Sequence, residues 1–335
     1  MKKFAFVVGC CFAVGVPAQT PPDTADAHRA LARAAAGTDL GGIYDAACPA
    51  PPPEGVAAPA GRGPGRGRGP RPTPPREDWY NEPVKVFDNL YFLGTKVHES
   101  WAVTTSDGII VIDALFGYAA EAEITEGLKK LGLDPAKIKY VIISHGHGDH
   151  SGGAKYLQET YHARVILSPA DWDLLARDPN NATVNPKRDI EATDGMKLTL
   201  GDTTLTLYIT PGHTAGTIST LIPVKDGGKT HLAVEWGGTV IGPNSPIEML
   251  QAYVKSAQRF RDLSTGGDIV LTNHTAFDGT LLKNAVLVAR KPGDPNPWIV
   301  GKETVQRYLT VAEECGKANL ITAQSRAAKP ATAVP

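Results

Sequence analysis

Ser144-His145-Gly146-His147-Gly148-Asp149-His150-Ser151 holds three of the chain's nine histidines within six residues, directly after the mostly apolar Tyr140-Val141-Ile142-Ile143. Tyr140–Ser144 reads as a strand, and residues two apart at the end of an extended strand face the same way. His145 and His147 can therefore grip one ion together, while Asp149 and His150, beyond the start of a turn, are aimed differently. Gly146 and Gly148 let the backbone close around such a site. Three imidazoles this close would repel one another when protonated, so the stretch reads as a metal site rather than a polar surface loop.

A site so short needs ligands from elsewhere. His213, in Thr210-Pro211-Gly212-His213-Thr214, and His274, in Thr272-Asn273-His274-Thr275, each follow a predicted strand and sit in a turn, which completes a set of six. His28, His98, His162 and His231 have no such setting and are assigned to structure. Asp113, at the end of Ile109–Ile112, is expected to support the histidine loop as an acceptor rather than to bind metal.

The order His145, His147, Asp149, His150, then His213, then His274 resembles the metallo-β-lactamase-fold superfamily over about Val84 to Asn284. The resemblance implies an α/β fold, a four-layer αβ/βα sandwich of two mixed sheets flanked by helices. It also implies two Zn²⁺ per chain: His145, His147 and His213 for the first, Asp149, His150 and His274 for the second. A hydroxide held between them would be the nucleophile, with Asp149 orienting it and passing a proton to the leaving group. The glyoxalase II, lactonase and RNA-processing branches carry an aspartate bridging both metals. Here the corresponding stretch is Trp236-Gly237-Gly238-Thr239-Val240, with Gly238 in the carboxylate's place, and Glu235 lies three residues along the strand, on the opposite face. No cysteine stands there either. An Asp-His-His second site together with export is most similar to the class B3 β-lactamases, which act on small molecules. Three rivals stand beside that reading: a hydrolase of another ester, lactone or amide on the same fold, a mono-iron oxidoreductase, and a non-catalytic periplasmic zinc-binding protein. Trp101, Tyr118, Thr239 and Phe277 are the expected substrate contacts, with Asn244 a further lining group.

Around this body the chain is uneven. Of 335 residues, 42% are hydrophobic and 21% charged, an ordinary composition for one large domain or two smaller ones. Residues 1–76 hold nine Lys/Arg against five Asp/Glu, and the remainder twenty-five against thirty, so the body is mildly acidic and nucleic acid is not an expected partner. Met1-Lys2-Lys3, an apolar stretch and Val16-Pro17-Ala18 read as a secretory signal over 1–18, too short to span a bilayer, which implies a periplasmic protein without stable membrane insertion. A helical arm follows over 19–48, with its helix at Ala25–Ala36. Residues 49–76, with ten Pro, six Gly and five Arg, form a linker, the metal-bearing domain runs over 77–322, and 323–335 is a flexible tail. Beyond the signal only Cys48 and Cys315 remain. They either pair or stay as two buried thiols. The alternation of strand and helix signals through the body, with strands read at Lys85–Gly94, Trp101–Ala114, Arg164–Leu167 and Thr203–Ile209, predicts two sheets back to back with helices on both outer faces.

Overall fold

A computed structural model describes residues 23–49, 73–177 and 184–328. The expected signal over 1–18, most of the linker and the end of the tail lie outside the described residues. The first sheet is mixed and runs β1 (Val84–Lys85), β2 (Leu90–Phe92), β3 (Trp101–Thr105), β4 (Gly108–Ile112), β5 (Ile138–Ile142), β6 (Arg164–Leu167) and β7 (Ile190–Glu191) in chain order. The second contains β8 (Met196–Leu200), β9 (Thr203–Ile209), β10 (Ile218–Asp226), β11 (Lys229–Glu235) and β12 (Ile269–Leu271), in the order β12-β11-β10-β9-β8. Strands β1 to β4 are antiparallel and β4 to β7 parallel, while β12 pairs parallel to β11 in an otherwise antiparallel sheet.

The period-two alternation of each strand sorts its side chains into layers. Ile110 and Ile112 of β4 face inward with Phe92, Ile142, Leu205, Leu207, Ile222 and Leu271, and close the core between the sheets. Their neighbours Ile109 and Val111 face outward and pack beneath Ala119, Ile124, Leu128 and Leu157. On the far side Val234 and Val270 lie under Leu250, Tyr253 and Phe260 of the helix Ile247–Leu263 and under Tyr308 and Leu309 of the helix Lys302–Ala327. Each large aliphatic side chain buried this way contributes about 1.5–3 kcal/mol. Helix, sheet, sheet, helix is the layering expected from the sequence.

Boundaries differ where local chemistry overrides pattern. The strand expected from Lys85 to Gly94 is broken at residues 86–89, where Val86 and Phe87 both donate backbone N–H to the Leu90 carbonyl. The expected Trp101–Ala114 strand is a hairpin turning at Ser106-Asp107. The last helix runs to Ala327, past residue 322, so the start of the expected tail is helical. The arm helix Ala25–Ala36, capped by the Thr24 hydroxyl, ends at Gly37. Cys48 and Cys315 are disulfide-bonded, with Cα atoms 4.9 Å apart, which ties the arm to the last helix.

Strands β4, β5, β9, β11 and β12 all point the same way, so the residues that follow them gather at one edge of the two sheets. Asp113, His145, His213, Gly237 and His274 lie on those five loops.

Candidate metal centre

His145, His147 and His213 each present a ring nitrogen within 4.8 Å of the others. His145 is buried, and its Nδ1 is 2.9 Å from the Gly237 carbonyl oxygen, so this nitrogen carries the proton and Nε2 presents a lone pair. That Nε2 has no hydrogen-bond partner. His213 is fixed in the same way by Nδ1 against the Val240 carbonyl, and its Nε2 lies 3.1 Å from His147 Nδ1. Burial, with the neighbouring imidazoles, pushes His145 well down and His213 down to about 4, so both are neutral and ready to act as ligands at pH 7.

Beside this group, Asp149 Oδ2 lies 3.5 Å from His150 Nε2, 3.8 Å from His274 Nε2 and 3.5 Å from His98 Nε2. The last of these is a correction. His98, whose sequence setting predicts a structural role, sits at the centre, and His98, Asp149 and His274 offer ligand atoms all within 4.8 Å of one another. The cause is a backbone bridge that pairs His98 with His274 across two loops, with Glu99 N–H donating to the Asn273 carbonyl and Thr275 N–H to the Val97 carbonyl. No strand-end motif marks that pairing in the sequence. The other three histidines are structural: His28 lies between Asp23 and Glu314, His231 against Asp268, and His162 ends a helix in the left-handed region.

Burial by itself would raise the Asp149 carboxyl, but the imidazoles of His150, His98 and His274 overcome it and hold Asp149 well below the usual carboxylate range. Burial also opposes a charge on His150, yet the Asp113 and Asp149 carboxylates push it up to about 10. An ion taking His150 Nε2 therefore displaces a proton. Burial, reinforced by His150 and His98, lowers His274 to about 3.

The ligand loops are held from behind. Asp113 accepts from His150 Nδ1 at 2.7 Å and from the Ser144 N–H and hydroxyl at 2.7 and 2.8 Å, and it sits at φ 61°, a strained conformation for a non-glycine residue. Asp171 carries no sequence motif that marks it. It is buried in the helix Pro169–Ala176 and accepts from Gly146 N–H at 2.7 Å, the Thr214 hydroxyl at 2.8 Å and Gly216 N–H at 3.0 Å, which joins the His145 and His213 loops. Asn273 Nδ2 donates at 2.7 Å to the same Gly237 carbonyl that orients His145. A methyl group added at Gly237 would fall 1.8 Å from the Ile218 carbonyl oxygen, so only glycine fits where the Gly237 carbonyl reaches His145. At Gly238 the added carbon would lie 2.7 Å from His213 Cβ and 2.8 Å from Thr217 Cγ2, so the position where other branches carry a carboxylate is filled by neighbouring side chains. Glu235 is buried with neither carboxyl oxygen hydrogen-bonded, and burial raises its carboxyl well above the usual carboxylate range.

Two expected substrate contacts belong to the core. Trp101 is 1% exposed, packs against Phe92 and Trp298, and donates its indole N–H to Glu99 and the Thr272 carbonyl. Thr239 is buried, its hydroxyl spent on the Trp236 carbonyl. Both strand-end positions lie below the rim, with their side chains directed into packed layers. Asn244 is exposed and held by Arg326. Tyr118 and Phe277 are half-buried at the mouth: Phe277 lies 4.9 Å from the His274 ring, and Tyr118 stacks at 5.4 Å on Phe116, itself 5.1 Å from His98.

The donor set fits divalent metal. His145 and His150 each have Nδ1 hydrogen-bonded from behind and a buried, unpartnered Nε2, and their rings lie 4.2 Å apart. Ligand atoms around a tetrahedral zinc lie about 3.3 Å apart when each is about 2.0 Å from the ion. The 3.1 Å between His147 and His213 and the 3.5 Å from Asp149 to His98 and to His150 are close to that spacing.

Residues 93–226 match the metallo-beta-lactamase superfamily. The fold is similar to that of a subclass B3 metallo-beta-lactamase of Bradyrhizobium japonicum, with 28% identity and a TM-score of 0.59 over 70% of this chain and 91% of that one. In sequence the chain is similar to a beta-lactamase-like protein 2 homolog of Caenorhabditis elegans, 27% identical over 180 residues, 52% of each. It is also similar to an N-acyl homoserine lactonase of Azorhizobium caulinodans, 29% identical over 173 residues, 44% of this chain and 62% of the relative. The chain spans about half the length of the curated relatives it matches. The matched segment, residues 93–226, carries His98, the His145–His150 loop and His213, and the structural likeness is to class B3 metallo-beta-lactamases.

Proposed function

We propose that this protein is an exported dinuclear zinc hydrolase of class B3 type that opens β-lactam rings. The observation that carries the reading is the juxtaposition of two ligand groups at one sheet edge, His145, His147 and His213 beside Asp149, His150 and His274, with glycine at the bridging position. Zinc bound there would supply Lewis acidity and lower the pKa of a water toward about 7. The chain's own residues do the rest. Gly237, Asp113 and Asp171 fix the orientation of the ligand loops before substrate arrives. Asp149, kept ionised by three surrounding imidazoles, would ligate the second ion through Oδ2, leaving Oδ1 to take the attacking water's proton and return it to the departing nitrogen. Phe116, Tyr118 and Phe277 offer an apolar wall that seats the substrate ring and limits water.

Export is supported by the basic, apolar start of the sequence and by the Cys48–Cys315 bond, since disulfides persist in oxidising compartments. A second reading, hydrolysis of a lactone or thioester, is favoured by the lactonase relative and opposed by Gly238. Turnover of nitrocefin and a carbapenem, compared with an acyl-homoserine lactone, separates the two. A kcat/KM for β-lactams at least ten times that for the lactone is expected, and the reverse order overturns the substrate assignment.

A further inference from the structure

We propose that His98 is a ligand of the second metal site, so that His98, Asp149, His150 and His274 together supply that ion with four protein donors. The inference rests on the dinuclear reading and adds to it a residue that the six-ligand pattern does not contain. Three observations converge. His98 Nε2 lies 3.5 Å from Asp149 Oδ2, the same carboxylate oxygen that His150 and His274 face at 3.5 and 3.8 Å. All three contacts lie at or beyond the limit of a hydrogen bond and are close to the spacing of donors around a shared ion. The His98 side chain is also brought there by the backbone. The bridge to His274 and the flanking bonds from Glu99 and Thr275 set the two rings 5.0 Å apart, and Phe116 closes against the His98 ring at 5.1 Å. Finally, Glu99, next in sequence, is buried and receives hydrogen bonds from Trp101, Thr272 and Thr280, which pins the loop that carries His98.

The consequence concerns coordination. A catalytic zinc with three protein ligands keeps a position for water or substrate, whereas four protein donors satisfy a tetrahedral ion. Four donors at the second site would hold its ion more tightly than three, while His145, His147 and His213 would supply the first with three.

The test uses the full mature chain with zinc and with cobalt(II), whose visible absorption reports coordination number. Wild type, His98→Ala, His98→Gln and His274→Ala are compared for metal content after dialysis against graded chelator, for cobalt titration spectra, and for far-ultraviolet circular dichroism. Wild type is expected to hold two ions. His98→Ala should weaken the second by 10-fold or more and change the cobalt spectrum of that site alone, and His98→Gln should fall between the two. Two ions in wild type with an unchanged second affinity and spectrum in His98→Ala overturn the proposal and leave the dinuclear reading standing. A single ion in wild type, unaffected by His274→Ala, overturns both.

Discussion

At the scale of single residues, the six donors named from sequence and the seventh found in the structure differ in one respect. His145, His147, Asp149 and His150 announce themselves by crowding, and His213 and His274 by strand-end turns, whereas His98 depends on a bridge between loops 176 residues apart that leaves no local pattern. Asp171 was illegible for the same reason, since an aspartate in a helix's first turn normally serves that helix. His145→Ala or His213→Ala should lower kcat/KM at least 100-fold, about 2.7 kcal/mol of transition-state stabilisation, and remove zinc from the first site. Asp149→Ala should lower occupancy of the second. Wild-type rates with full metal content in these variants would remove the assignment.

A buried carboxyl remote from the metals gives a further test. Burial raises Glu123 to about 8, although Asn81 N–H donates to one of its oxygens at 3.0 Å. A carboxyl raised in the folded state stabilises fully below its unfolded value near 4.5, and that contribution is lost as pH rises toward 8. Glu123→Gln should therefore match wild type near pH 4.5 and exceed it by at least about 1 kcal/mol at pH 8.5 in urea unfolding. Equal stability at both pH values would show that Glu123 ionises normally.

At the scale of elements, strand interiors were readable because their alternation is dictated by two-sided burial: Thr203–Ile209 and Arg164–Leu167 are strands over the residues expected. Turns were harder. The break at residues 86–89 and the short bridge of β7 to β6 depend on partners distant in sequence. The loop after β11 is where packing and chemistry meet most directly. Gly237→Ala should force the Ile218–Gly237 contact apart at a cost of about 1–3 kcal/mol, measurable by thermal unfolding, and should lower activity by freeing His145 from its carbonyl. An Ala variant with wild-type stability and rate would show that this approach is not needed.

At the scale of the molecule, the arm is part of the fold. Its helix packs along Lys302–Ala327, His28 bonds to Glu314 at 2.5 Å, and Arg307 holds the Ala35 and Ala36 carbonyls. Sequence spacing left open whether Cys48 and Cys315 pair, because nothing local places an arm against a helix 267 residues away. Reduction, or Cys315→Ala, should lower stability by about 2–5 kcal/mol while leaving the metal edge intact, so that zinc content is unchanged at 25 °C. Loss of zinc on reduction would mean that the arm supports the site itself.

Anomalous diffraction at the zinc edge from crystals of the zinc-loaded protein asks directly whether the five strand ends build a two-ion seat. The expected map has one peak enclosed by His145, His147 and His213 and a second beside Oδ2 of Asp149 among His98, His150 and His274. A map with no peak, or with its only peaks away from these side chains, would contradict it.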